Sequence, residues 1–296
     1  MEFDMAEYVL SAFADEGGTT LAEQICALKE NGIGFIEPRT IDNRPILQLS
    51  EEELAEVKAK LDENGIKVNS LGSPIGKYDI TAPFDEHLAL FEKALRACEI
   101  LGTDKMRMFS FFVDQKELAT YKEEVIRRLN VMTELAAARG ITLCHENESL
   151  IWGQMPGEVS ELIDEVKGLA AIFDPANYRM NNGDVMEGIK ATLKNLAYLH
   201  IKDAVYASQT ILPAGEGEGR IGEILDIVNE ATDKVVYLTL EPHLMDFFAY
   251  KSIDEHELRG KYSFENNRAA FDFAANALKK LLTEHGYKEC NGIWKK

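Results

Sequence analysis

One module recurs along the whole chain: a short apolar run rich in β-branched or aromatic residues, then an amphipathic stretch of helical period. The runs are YVLSAFA (8–14), GFIEP (34–38), KVNSLGS (67–73), KMRMFSFF (105–112), ITLCHE (141–146), LAAIFD (169–174), LAYLHIKD (196–203) and KVVYLTLE (234–241). The first helical stretch, TLAEQICALKENG, closes on Gly32. The second, SEEELAEVKAKLDENG, opens on a capping box of Ser50 and Glu53 and closes on Gly65. Further helices are expected around 84–101, 118–139, 157–167, 185–194, 220–232 and 263–285. Strict alternation means parallel strands joined by crossover helices. Eight such units predict an α/β fold, a single (β/α)8 barrel spanning residues 1–296. An open doubly wound sheet would announce itself with G-x-G-x-x-G in its first turn. Here that turn reads ADEGGTT, acidic and without the pattern.

Charge narrows the partners. The chain carries 51 acidic against 32 basic residues, a net −19. That field repels nucleic acid and anionic lipid, so neither is expected as a partner. It favours a small neutral substrate or a cation. No run approaches the roughly 18 apolar residues of a membrane span. The opening MEFDMAEYVLSAFADEGG carries acids early and lacks a basic leader, so no secretory signal is expected. Cys26, Cys98, Cys144 and Cys290 are far apart and form no C-x-x-C, as expected of reduced thiols in a cytoplasmic protein.

In a barrel of this kind chemistry sits at the carboxyl ends of the strands. The fifth run ends in Glu146, the sixth in Asp174, the seventh carries His200 near its end, and the eighth ends in Glu241. Alone, each has a plainer reading: a solvated acid, a turn before Pro175, a satisfied core histidine. Together, on consecutive strands, they single out the barrel mouth. Alternation puts Cys144 and Glu146 on one face and His145 on the other, towards a helix. On the eighth strand Tyr237, Thr239 and Glu241 share a face opposed by Val236, Leu238 and Leu240. Three carboxylates converging bare would raise one another's pKa values. One divalent cation removes the conflict; oxygen-rich ligands with one imidazole suit Mn²⁺ first, then Mg²⁺ or Co²⁺, with Zn²⁺ and Fe²⁺ as further candidates.

These motifs resemble those of a known family. E-N after the fifth strand, D-P-x-N after the sixth, H-I-K-D on the seventh, a G-E-G loop and L-E-P-H on the eighth are similar to the sugar phosphate isomerase/epimerase family of the xylose isomerase-like barrel superfamily. The superfamily also includes ketose 3-epimerases, inosose dehydratases and endonuclease IV. The resemblance implies that Glu146, Asp174, His200 and Glu241 hold one divalent metal, and that Glu146 and Glu241 double as the acid–base pair. Two positions depart from the ketose 3-epimerases: Asn177 stands where they carry a histidine, and Lys202 where they tend to place an arginine. The extra histidines of endonuclease IV are absent from KVNSLGS and KMRMFSFF.

The expected function is therefore a metal-dependent isomerase or epimerase acting on a sugar or polyol ketone through an enediolate. The alternatives are an inosose-type dehydratase, a metal-dependent hydrolase on the same barrel, or a non-catalytic sugar-binding barrel. Lys202, Asn147, Asn177 and Trp152 are the expected substrate contacts, Trp152 as a lid. Other aromatic wall candidates are Phe13, Phe109, Phe247 and Phe248, and His243 is a candidate supporting group behind the eighth strand. The loop PAGEGEGR (213–220) has the glycines of a phosphate cradle, but Glu216 and Glu218 argue for an unphosphorylated substrate. The long connection 243–262 suggests an active-site lid or a subunit contact, and with it a homo-oligomer.

Overall fold

The computed structural model describes residues 5–248 and 261–296. The barrel strands are β1 (Glu7–Ala12), β2 (Phe35–Ile36), β3 (Lys67–Val68), β4 (Lys105–Met108), β5 (Thr142–Glu146), β6 (Ala170–Phe173), β7 (Leu196–Ile201) and β8 (Val235–Leu240). Neighbours from β4 through β8 and on to β1 pair in parallel, as do β2 and β3. The ring closes through a few bonds: Glu37 N–H to the Ala12 carbonyl between β1 and β2, and, between the loop after β3 and β4, Leu71 N–H to the Lys105 carbonyl and Arg107 N–H to the Leu71 carbonyl. The helices are α1 (Leu21–Glu30), α2 (Glu51–Glu63), α3 (Phe84–Leu101), α4 (Leu118–Ala137), α5 (Pro156–Glu165), α6 (Pro175–Met180), α7 (Val185–Thr192), α8 (Ile221–Ala231) and α9 (Asn267–Glu284). None among the described residues is long and apolar enough to cross a membrane.

The capping box at Ser50 and Glu53 is present, and Thr20 with Glu23 forms a second one on α1. Several strands are shorter than their apolar runs. β3 stops at Val68 and β4 at Met108; beyond them Leu71 still bridges Met106, and Phe109–Phe112 turns off to build a loop at the mouth. Three hairpins add to the module: Thr40–Ile41 with Arg44–Pro45, Asp203–Val205 with Thr210–Leu212, and Lys288–Cys290 with Ile293–Lys295. The last fills the gap that β1 and β2 leave at the amino end of the barrel, where Trp294 and Ile293 pair antiparallel with Tyr8 and Val9. Of the connection 243–262, residues 249–260 lie outside the described residues.

Two cores result. The large one lies between barrel and helices and takes the outward residues, such as Leu10, Leu143, Leu238 and Leu240. The interior is small and becomes polar upward. Cys144, Ile172 and Tyr198 pack together, with Tyr237 beside them. Ser11 then donates to the Asn69 side chain, which reaches Thr239. Both faces expected for β5 and β8 are those observed.

The loop after β3 is held to the mouth by a buried histidine. Gly76 (φ +88°) lies so close to the Phe109 carbonyl that a Cβ would sit 1.9 Å from its oxygen. The Gly76 N–H donates to His87 Nε2 on α3 at 3.1 Å, and the imidazole stacks on Tyr78. That acceptor nitrogen must be unprotonated. Burial, with Arg128 nearby, lowers the His87 pKa to about 4. Since the folded value lies below the unfolded one of about 6.5, this site's contribution is whole above pH ~6.5 and is lost as pH falls towards 4, at most about 3 kcal/mol. His87→Gln keeps an acceptor for Gly76 without titrating. Urea unfolding of wild type and variant from pH 7 to 4.5 should give a stability difference that shifts progressively in the variant's favour. Parallel curves would rule this coupling out.

Candidate metal centre

The parallel register sets the site. Thr239 lies beside His200 and Leu240 beside Ile201, and Glu241 N–H donates to the Ile201 carbonyl. The side chains of Glu146, Asp174, His200 and Glu241 therefore meet at the mouth, all buried, with one ligand atom of each within 4.8 Å of the others. His200 Nδ1 lies 3.0 Å from Glu146 Oε1 and 3.3 Å from Glu241 Oε2. Asp174 does two things at once. Its Oδ1 caps α6 by accepting the Asn177 N–H at 3.0 Å. Its Oδ2 is fully buried without a hydrogen bond and faces the Lys202 ammonium at 3.1 Å.

Burial opposes every charge here, and the counter-charges decide the outcome. For Glu146 burial is outweighed by His200 and Arg107, which hold its carboxyl below the usual range. For Glu241 it is outweighed by Lys202, His243 and His200, which hold it well below. Asp174 is only partly rescued by Lys202, and burial pushes it up to about 7. His200 is raised well above its ordinary value, burial losing to Glu146 and Glu37. Three buried carboxylates, one imidazole and an orphaned carboxylate oxygen fit a divalent cation. The protein would hold it through Glu146, Asp174, His200 and Glu241.

The other expected residues divide. Asn177 is brought in: its Nδ2 donates to Glu146 Oε1 at 3.3 Å and to the Asn147 carbonyl. Lys202 is also brought in, contacting Glu241 Oε2 at 3.3 Å besides Asp174. Asn147 is spent on structure: its amide donates to the Asp174 carbonyl and accepts the Asp174 N–H, clamping the β6 tip to β5. Trp152 packs in the large core with its indole N–H donated to the Leu118 carbonyl, which leaves no free edge for a lid. His145 points away from the interior, against Gly153 and Ser110. His243 stands at φ +46°, with Nε2 3.4 Å from both Glu16 Oε1 and Glu241 Oε1.

Three residues escaped the sequence reading. Glu37, at the tip of β2, accepts from Tyr198 Oη at 2.9 Å and lies 3.2 Å from His200 Nε2. Arg107 on β4 reaches Glu146 Oε2 at 3.3 Å. Arg39 reaches Glu241 Oε1 at 3.3 Å while paired with Asp15 and Glu16. Phe13 lies between the two guanidiniums, 4.3 Å from Arg39 Cζ and 4.8 Å from Arg107 Cζ, with the His200 ring against its edge. Glu37 follows directly on β2, as Glu241 follows directly on β8.

The glycine loop is already filled by an internal anion. Asp203 accepts N–H bonds from Ala204, Gly215, Gly217 and Gly219. A Cβ on Gly217 would lie 2.3 Å from its Oδ1. Glu218 pairs with Arg179, and Glu216 with Lys261. The N–H groups of Gly215, Gly217 and Gly219 are thus already taken by a carboxylate.

Glu37 fixes the ring of His200 from behind, the usual device for orienting a metal-ligating imidazole. Glu37→Gln should keep the fold by circular dichroism yet weaken Mn²⁺ binding about 10- to 100-fold in calorimetric titration. Unchanged affinity would show that Glu37 serves packing alone.

Against this geometry the comparisons are consistent. The sequence matches no curated protein. In structure it is similar to D-psicose 3-epimerase solved in the presence of D-fructose (18% identity, 94% of this chain and 99% of that one, TM-score 0.70). It is similar to the IOLI protein with a bound zinc atom (15%, 94% and 99%, TM-score 0.70). It is also similar to the probable 3-DHS dehydratase AsbF from Bacillus anthracis (15%, 92% and 98%, TM-score 0.67). Residues 25–259 match the family described as xylose isomerase-like TIM barrel, and the chain belongs to that family.

Proposed function

We propose that the protein is a metal-dependent isomerase or epimerase of a sugar or polyol ketone, working by proton transfer next to the carbonyl. The observation that carries this reading is the pair Glu146 and Glu241, which reach one imidazole nitrogen from separate strands, each with its own cation. A divalent cation, when bound by Glu146, Asp174, His200 and Glu241, supplies Lewis-acid polarisation of the ketone. Arg107 keeps Glu146 ionised, so it can accept the proton from carbon, and Asn177 holds its Oε1 in place. Glu241 is the second acid–base group, on the other face: one of the pair takes the proton and the other returns it, inverting the centre. Lys202 is placed to steady the oxygen charge of the enediolate. The occupied glycine loop supports an unphosphorylated substrate.

Incubation with Mn²⁺ and a panel of ketoses, uronates and inososes in D₂O tests the reading. Deuterium should enter one carbon of one substrate, and Glu146→Gln should lose about 100- to 10,000-fold in that rate while staying folded. Loss of water after exchange would identify a dehydratase, which shares the first proton abstraction. Hydrolysis without exchange, or sugar binding without metal or turnover, would overturn the proposal.

A further inference from the structure

Next to the carboxylate cluster, across the Arg39–Asp15 pair, lies a cleft of about 790 Å³ that the mechanism does not use. Its walls come from the loop between β1 and α1, the Thr40–Pro45 hairpin, the segment after β8 and the amino end of α9. That volume is in the range of small-molecule sites and exceeds what a single ketone unit at the cluster needs. The lining is amide, hydroxyl, carboxylate and aromatic: Asn43, Thr19, Asp15 and Asp246, with Phe247 and Phe248. Its cation, Arg268, is committed to Glu30 and Asp272. Such a surface rejects an anion and suits a neutral polyhydroxylated ring, whose hydroxyls meet the amides and acids and whose C–H face meets an aromatic. Phe248 is 52% exposed, a large apolar face turned to solvent.

The cleft and the cluster share a wall. Asp15 lines the cleft and accepts from Arg39 Nε and Nη2 at 3.1 and 3.0 Å. The Arg39 guanidinium lies 4.7 Å from the Phe247 ring centroid, and its Nη1 reaches Glu241 Oε1 at 3.3 Å. One guanidinium thus separates the cleft from a proposed acid–base residue. We propose that this cleft is a second subsite for a neutral sugar ring, so that the preferred substrate is a glycosylated ketone, not a free monosaccharide. The proposal rests on the reading of Glu146 and Glu241 given above.

The test compares D-fructose with isomaltulose, which is fructose carrying a glucosyl ring, and with methyl α-glucoside, which has no ketone. The full chain is loaded with Mn²⁺; deuterium exchange and calorimetric binding are both read. The glucosyl ring should improve kcat/KM for exchange by about tenfold or more, the worth of one stacked ring. Phe248→Ala and Asp246→Asn should each remove most of that gain through KM, with kcat retained. Equal kcat/KM for the two ketoses, or an advantage that survives both variants, would overturn the subsite. Methyl α-glucoside binding that Phe248→Ala abolishes, without exchange on either ketose, would uphold the subsite while failing the isomerase reading.

Discussion

Everything at the mouth follows from placing several carboxylates out of water around one imidazole. Glu37, Glu146 and Glu241 all approach His200, which is completely buried. Removing such charges from water costs several kcal/mol each, and their repulsion adds to it. A chain accepts this only where the groups are held for a purpose and where compensating charges are built in. Arg39, Arg107 and Lys202 supply the compensation, each 5–6% exposed. Arg107 serves Glu146, Arg39 serves Glu241, and Lys202 serves Glu241 and Asp174. The pairing is specific, and it leaves the carboxylates unequal. Glu146 and Glu241 are kept as anions, while Asp174 retains an oxygen without a hydrogen bond.

That inequality links electrostatics to chemistry. A proton acceptor must be ionised at working pH, and His200 and the Arg107 guanidinium together hold Glu146 in that state. The same logic reaches the loop after β1. Glu16 sits behind Glu241 with burial as its dominant influence, and His243, in a left-handed conformation that a histidine adopts at a cost, bridges the two.

How far the sequence could be read follows from strand length and from which groups titrate. Glu146, Asp174 and Glu241 ended long, clear runs, and His200 interrupted one, so their convergence was visible once the barrel was inferred. Glu37 ended a strand of only two residues, whose weak periodicity gave no reason to look at its tip. Arg39 and Arg107 are not ligands, and their place at the mouth follows only from the counter-charges that buried carboxylates demand. Asn147 and Trp152 sat beside the tip of β5, but nearness in sequence does not decide whether a polar atom is free. The backbone of Asp174 uses the amide of one, and the carbonyl of Leu118 uses the indole of the other. The C-terminal hairpin was invisible because its role, closing the gap between β1 and β2, is a tertiary one.

Asp203 shows why a motif has to be completed by its partners. Glycines followed by a helix, at the position after β7, have the composition of an anion cradle. The carboxylate at the end of H-I-K-D occupies that cradle itself, accepting four backbone N–H groups from Ala204, Gly215, Gly217 and Gly219. Gly217 and Gly219 are small because Asp203 is there, since a Cβ on either would approach its Oδ1 to 2.3 or 2.7 Å. The loop is thus a self-contained anion site whose anion is covalently supplied. Its consequence is positional: Asp203 anchors the segment immediately following Lys202, so the ammonium between Asp174 and Glu241 is held by a backbone fixed one residue away.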